Sequence, residues 1–498
     1  MEGLAESVFQ RPEIDYHAFA PEIVLVGALV VILLVDLLFQ DRARYATSTL
    51  AGLGLLGALI PVITLAVDGA DRSMFGGAYV VDNFALVLKA LFLLGGYVTV
   101  LMSTDYIGEG DYYEGEYYFM LLSSLLGMTV MASARDLISI FIALETLSIP
   151  AYLLAGWRKR DLKGNEASLK YYLLGVFASG VMLYGMSLVF GMTQTTILTE
   201  IGDRLGELER GVPIVTVGIL FVVIGFAFKV SAVPFHQWAP DTYEGAPTPI
   251  TAFLSVASKA AGFVALLSIV FLAFGSNDDV YQPLFWVLSA LTMTVGNVVA
   301  LRQTNVVRLL AYSSVAQAGY MLAPFAVAGH EGGVDTAIES VVGYLLVYAA
   351  MNLGAFAVVM AIARKTRSAE LSSYGGLFEY APGLAALLAV FFFALAGIPP
   401  LGGWYAKLGI FLALVEDPTT WSIVLAVLVG VNSVVALFLY AKVAREAFMR
   451  PVPDDDRAPV RVPSSLGAAI GLCSVATLAI GIVPGIIARF AHLAPFGS

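Results

Sequence analysis

Charge is scarce in this sequence. Only 13% of its 498 residues are Asp, Glu, Lys or Arg, where a soluble protein carries about a quarter. No block of soluble-domain size breaks the apolar runs, so nearly the whole chain must sit in lipid. Cysteine is scarcer still: Cys473 stands alone, which excludes disulfide frameworks, CxxC metal or redox motifs and four-cysteine iron–sulfur ligation. No GxxxxGK[ST] loop is present to cradle a nucleotide phosphate. The four histidines have no metal-ligand spacing, so no metal site is expected. The net charge of -11 is spread over short loops and forms no basic patch for nucleic acid. The first 20 residues are acidic and lack a basic n-region, so no cleavable signal peptide is expected.

What remains is apolar: 59% of the residues are hydrophobic. Runs of about 20 such residues are needed to span a bilayer as helices. They fall near 21–39, 47–67, 83–104, 117–134, 136–156, 167–191, 212–240, 249–273, 282–301, 306–329, 337–363, 383–416, 420–444 and 464–490. The expected fold is an all-α integral membrane protein of about fourteen transmembrane helices. Loops after odd-numbered spans hold the basic residues: Arg42 and Arg44, then Arg158 to Lys163, Arg364 to Arg367, and Lys442 to Arg461. The positive-inside rule then puts both termini outside the cytoplasm, in a multi-pass protein of the cell inner (plasma) membrane. Trp157, Trp286 and Trp421, and the cluster Tyr112, Tyr113, Tyr117 and Tyr118, lie at span ends and are expected as interfacial anchors.

Two spans are interrupted. The seventh holds Lys229 followed by Val233-Pro234-Phe235-His236, and the twelfth holds Gly397-Ile-Pro-Pro-Leu-Gly-Gly403 followed by Lys407. Proline removes a helical hydrogen bond, and in lipid the freed groups are tolerated only where they face protein or a water-filled cavity. Two such breaks five helices apart, each beside a lysine, predict two inverted five-helix repeats with discontinuous helices 7 and 12. The expected division is 1–111 (helices 1–3), 112–280 (first repeat, helices 4–8), 281–446 (second repeat, helices 9–13) and 447–498 (helix 14).

A charge at mid-bilayer costs about 2.5–3.5 kcal/mol on insertion scales. Glu145, Lys259, Lys229 and Lys407 stand at that depth. Three lysines cannot all pair with one glutamate, so a proton or ion pathway is favoured over structural ion pairing. Lys170, one turn inside the sixth span, either snorkels to the interface or feeds that pathway. His236, after the first break, either shuttles protons or caps freed carbonyls. Asp36, Lys89, Arg308 and Glu339 lie near span ends and are expected to snorkel, while His17, His330 and His492 are expected to be solvated. Asn297, Gln317, Asn352, Asn432, Tyr344 and Tyr348 recur inside spans, where they either hold water or bond between helices. The string Gly52-Leu-Gly-Leu-Leu-Gly57 matches a dinucleotide fingerprint, but it lies inside a span with no preceding strand, so it reads as helix packing.

Long strings around these residues are similar to a known family. Glu145 with Leu147-Ser-Ile-Pro-Ala-Tyr-Leu-Leu154 resembles the fifth helix of the antiporter-like subunits of respiratory complex I (NADH:quinone oxidoreductase). Glu166-Ala-Ser-Leu-Lys170-Tyr-Tyr-Leu-Leu-Gly175, Lys229 to His236, Trp238 to Pro249, Ser258 to Gly262, Asn305 to Tyr320 and Ala396 to Lys407 resemble its N-type subunits in particular. The resemblance implies a proton-translocating subunit in which Glu145, Lys229, Lys259 and Lys407 form a polar axis, joined by Lys170. It implies partners among the other antiporter-like and small membrane-arm subunits, with quinone, NADH, FMN and iron–sulfur clusters held elsewhere in the complex and no cofactor on this chain. Lys229 would be the switch, because desolvation disfavours a charged amine and a nearby carboxylate favours it. The alternatives are a subunit of a multi-subunit sodium/proton antiporter and a structural membrane scaffold.

Overall fold

Each apolar run becomes a helix, the one open-ended structure that satisfies its own backbone in hydrocarbon. The computed structural model describes residues 13–39, 45–69, 71–110, 114–329 and 332–496. Arg42, Arg44, Tyr112, Tyr113 and His330 lie outside the described residues. The first six helices, α1 (Ala20–Phe39), α2 (Ala46–Asp68), α3 (Asn83–Gly108), α4 (Glu114–Ser133), α5 (Leu137–Ala155) and α6 (Leu162–Thr193), cross in turn. A short α7 (Leu198–Gly206) precedes α8 (Pro213–Lys229), α9 (Trp238–Gly245) and α10 (Thr248–Ala273). The second half holds α11 (Asp278–Leu301), α12 (Val306–Leu322), α13 (Gly333–Thr366), the one-turn α14 (Leu377–Tyr380), α15 (Pro382–Ala396), α16 (Gly402–Val415), α17 (Thr420–Met449), α18 (Ser464–Ile482) and α19 (Gly485–His492).

Ten of these helices are individually long and apolar enough to cross a membrane; α4, α12 and the broken pairs α8–α9 and α15–α16 supply four more, fourteen in all. The departures from expectation are local. An antiparallel hairpin, β1 (Arg72–Met74) with β2 (Tyr79–Val81), joins α2 to α3. The stretch expected as a loop after the sixth span holds α7, whose Leu198, Ile201 and Leu205 are buried. The last span ends at Ile482, and Pro484 starts the separate α19.

Span starts are set by side chains that accept otherwise unpaired helix N–H groups. Asp136 accepts from Ser139 N–H at α5, Asp161 from Lys163 N–H at α6, and Asn305 from Val307 and Arg308 N–H at α12. The caps of α5 and α12 also expose the internal repeat. Leu137 N–H donates to Thr196 O and Leu198 N–H to Arg135 O, each at 2.9 Å. In the second half, Val306 N–H donates to Ala369 O at 2.8 Å and Leu371 N–H to Thr304 O at 2.7 Å. Each half thus ties the start of one helix to the loop leaving the next. The helix pairs also pack alike: a Cβ on Gly127 of α4 would lie 2.6 Å from Leu147 N of α5, and one on Gly296 of α11 would lie 2.6 Å from Ala316 N of α12. The two units are separated by five spans and run in opposite senses.

Because the atoms facing Gly127 are backbone, the helices must part to admit a methyl group. Gly127→Ala is expected to destabilise the fold by about 1–3 kcal/mol. Gly180→Ala on α6, with nothing within 4 Å of its Cβ, is expected to be neutral. Thermal melting of the detergent-solubilised protein compares the two. The Gly52–Gly57 string is a packing face, with Gly54 against Ala28 and Gly52 against Tyr97.

Several residues expected at the interface are instead interior. Lys89 is fully buried, with its Nζ 2.9 Å from Glu22 of α1 and donating to Tyr79 Oη at 2.7 Å. It does not snorkel, because β1–β2 closes over this end of α3. Tyr117 and Tyr118 are fully buried, and Trp157 packs edge-on against Tyr117. Trp421 is exposed, as expected of an anchor, and its carbonyl accepts from the Trp286 indole. Glu339 meets His492 at 2.7 Å, and His17 bonds Thr64.

Candidate functional site

Both broken helices end beside a buried lysine. After α8 the chain turns through Ser231 (φ 62°) to Pro234, and the freed Phe228 carbonyl accepts from the Trp238 indole at 2.9 Å. After α15 it turns through Gly397 (φ 88°), and the freed Ala396 carbonyl accepts from Lys407 Nζ at 2.7 Å. Gly403 must be glycine here, since a Cβ would lie 1.7 Å from Ala394 O. α10 contains two π turns, Leu254–Ser258 and Ile269–Ala273, and Lys259 follows the first; such bulges recur at functional sites.

Lys229, Lys259 and Lys407 are 3%, 1% and 5% exposed. Among the described residues none of them forms an ion pair with an acid; hydroxyls, carbonyls and rings hold them instead. Lys229 Nζ donates to Ser148 Oγ of α5 at 2.9 Å and to Tyr171 Oη of α6 at 3.4 Å. Lys259 donates to the carbonyl of Ser314 on α12 at 2.7 Å and to its hydroxyl, which also accepts from Tyr348 Oη at 3.0 Å. Lys407 Nζ lies 4.7 Å from the Tyr320 ring centre. Between them, Gln317 joins Tyr344, the Leu395 carbonyl and Tyr440, and Tyr440 meets Ser313 at 2.6 Å. Asn297 then joins Tyr320 to Asn432. These buried polar residues thus fall into separate hydrogen-bonded groups around the three lysines, which together make up a polar band.

A family model described as NADH:quinone oxidoreductase/Mrp antiporter, TM, matches residues 134–434. This chain belongs to that family. A curated relative, NADH-quinone oxidoreductase subunit N 1 of Koribacter versatilis, is 41% identical over 490 residues, covering 96% of this chain and 95% of that protein. A chain of respiratory complex I from Thermus thermophilus with bound aureothin superposes with a TM-score of 0.78 at 32% identity, covering 94% of this chain and 98% of that one. A chain of the Mrp complex from Dietzia sp. DQ12-45-1b superposes at 0.83 with 20% identity, covering 97% of each, which shows the shared fold.

Glu145 and all three buried lysines lie in the segment matched to the NADH:quinone oxidoreductase/Mrp antiporter family. Glu145 is half-buried and accepts from Ser179 Oγ of α6 at 2.6 Å. Lys170 stands apart from the band. Its side chain is 43% exposed and pairs with Glu166 at 2.6 Å and Asp241 at 2.7 Å. His236 also stands apart: its Nδ1 is buried without a hydrogen-bond partner and its ring meets Tyr312 edge-on. Of the carbonyls freed at the break, that of Phe228 accepts from Trp238.

Sequence reasoning missed Tyr171, Ser148, Ser314 and Tyr440, whose hydroxyls carry the band between the lysines. Serine and tyrosine are common inside membrane helices, so only the contacts single these out. It also missed Asp241 and Glu244, which read as loop residues after a proline break. Arg308, expected to snorkel, meets both acids at 2.9 Å.

Proposed function

We propose that this chain is a proton-translocating, antiporter-like membrane-arm subunit of NADH:quinone oxidoreductase, moving protons along Lys229, Lys259 and Lys407 in response to quinone reduction elsewhere in the complex. The observation that carries this reading is the set of three buried amines with no acid partner among the described residues, each held by hydroxyls or carbonyls. An amine that already had a buried carboxylate would be locked in its charged form. One held by hydroxyls can exchange its proton at modest cost. Ser231 and Asn352 each keep a buried polar atom with no protein partner among the described residues, positions that ordered water serves in protein interiors.

Glu145 is the conformational input. While it bonds Ser179, Glu145 makes no ion pair with Lys229; movement of Glu145 toward Lys229 would strengthen its hold on the ammonium. Lys259 relays the proton and Lys407 passes it toward the exit. Moving one charge against 100 mV costs about 2.3 kcal/mol, and an electrostatic swing of two pKa units supplies about 2.7 kcal/mol, so one carboxylate displacement matches that load. In this reading residues 112–280 and 281–446 are the two functional halves, with Lys170 and His236 on the approach to the axis. The cytoplasmic face is the one with the basic loops, both termini lie on the other face of the plasma membrane, and partner chains hold the redox cofactors.

The Mrp likeness supports the fold and leaves a sodium/proton antiporter as the competing assembly. Extraction in mild detergent separates the two. The expected result is that the tagged chain retains other membrane-arm subunits and NADH:quinone reductase activity. Recovery only with other antiporter subunits would overturn the proposal.

A further inference from the structure

The axis begins at Lys229, and its three amines are buried away from the protein surface. A second charged cluster lies within reach, on the face where α6 begins, α9 ends and α12 begins. Asp241 and Glu244, one turn apart on α9, each bridge a cation of α6 to Arg308 of α12. Asp241 meets Lys170 at 2.7 Å and Arg308 at 2.9 Å; Glu244 meets Lys163 at 3.3 Å and Arg308 at 2.9 Å. These side chains, with Glu166, line an open cavity of about 180 Å³. All are partly exposed to water.

Two of the three elements, α6 and α9, also send a phenol inward. Lys170 is followed by Tyr171, whose hydroxyl reaches Lys229. Tyr243 stands between Asp241 and Glu244 but on the opposite face of α9, since residues three apart share a face. Its buried hydroxyl lies beside Ser314, which holds Lys259. The acids are thus one helix wall from two axis amines.

The charges balance only while the acids are ionised: Glu166, Asp241 and Glu244 against Lys163, Lys170 and Arg308. Two ion pairs hold Asp241 ionised, so a bound proton is short-lived there: it leaves the cluster positive, weakens the hold of Asp241 on both Lys170 and Arg308, and is passed on. The remaining groups facing Asp241 do not offset this. Arg158 is occupied by Asp161 at 3.6 Å and by the Gly245 and Ala246 carbonyls, and α10 contributes only the buried Lys259.

We propose that Asp241, supported by Glu244, is the proton-collecting group of this chain, taking protons from water in this cavity and delivering them to both repeats through Tyr171 and Tyr243. A proton from water neutralises the carboxylate; transfer onward to a neutral axis amine restores it. The inference rests on the proton-pumping reading above.

The test uses the whole complex in sealed inverted vesicles, with native gels as the check on assembly. D241N is expected to slow proton uptake at least tenfold, with a deficit that widens as pH rises, because direct capture from dilute protons must replace the acid. D241E is expected to recover at least half of the rate. R308M removes the bridge between α6 and α12 but leaves both acids, and is expected to retain at least half of the uptake. Wild-type uptake and pH profile in D241N would overturn the inference, as would a loss in R308M equal to that in D241N and uniform across pH, which marks a purely structural clamp. If D241N does not assemble, E244Q carries the test: it is expected to slow uptake severalfold with a deficit that widens as pH rises, and wild-type uptake and pH profile in E244Q would overturn the inference. Normal pumping in Lys229→Ala would instead overturn the reading on which the inference rests.

Discussion

Lys229→Ala should abolish proton translocation, or cut it at least tenfold, in a complex that still assembles. The side chain is 3% exposed and makes no ion pair among the described residues, so its removal strands no opposite charge. The two hydroxyls it loses, Ser148 and Tyr171, can turn to other acceptors, and the hole is lined by residues able to hold water. Function and stability therefore separate at this position. The measurement is proton uptake by sealed vesicles together with quinone reduction on the same preparation. Normal uptake would remove Lys229 from the mechanism. Glu145→Gln should have a milder effect, because it keeps a hydrogen-bonding partner for Ser179 and removes only the charge that biases Lys229.

The opposite balance holds at Lys89. Lys89→Ala should prevent the chain from accumulating, since it leaves Glu22 at 1% exposure without its ionic partner among the described residues. Breaking a buried pair costs about 3–5 kcal/mol, whereas replacing both partners with apolar residues is often neutral. The double variant Lys89→Met/Glu22→Leu should therefore restore accumulation while the single variant does not. The amount of chain in washed membranes reads this directly, and equal yields for the two variants would show that the pair contributes nothing. Glu22 and Lys89 lie outside the matched segment 134–434, so this cost falls on the framework and not on the axis.

Much of the architecture was legible because lipid imposes one rule on every segment. The span count, the two breaks and the depth of the buried lysines follow from apolar length and from proline. The breaks are legible because Pro234 and Pro399-Pro400 stand beside glycine or lysine in otherwise continuous runs. What was not legible depended on partners. Lys89 and Arg308 are both about a turn from a span end, where a free lysine or arginine would reach the headgroups. Only the fold brings Glu22 to one and Asp241 and Glu244 to the other. Tyr117 and Tyr118 have the composition of an interfacial belt, but Ser103 of α3 and Trp157 meet the first, and Ser48 of α2 and Thr104 of α3 lie against the second. The hydroxyls of Tyr171 and Ser314 were invisible for the same reason, since a hydrogen-bonded band is a property of contacts between helices far apart in sequence.

The two backbone ties, Asp136 with Ile197 and Asn305 with Glu370, lie at helix starts five spans apart and so on opposite surfaces of the membrane. Each fastens one half where the other is open. A sideways load from a neighbouring subunit therefore meets a molecule stapled above on one flank and below on the other. Such a body resists shear as a whole, and any yielding is confined to the two unwound joints at mid-depth. Signals crossing it laterally would travel as redistributed charge, with its outline almost unchanged.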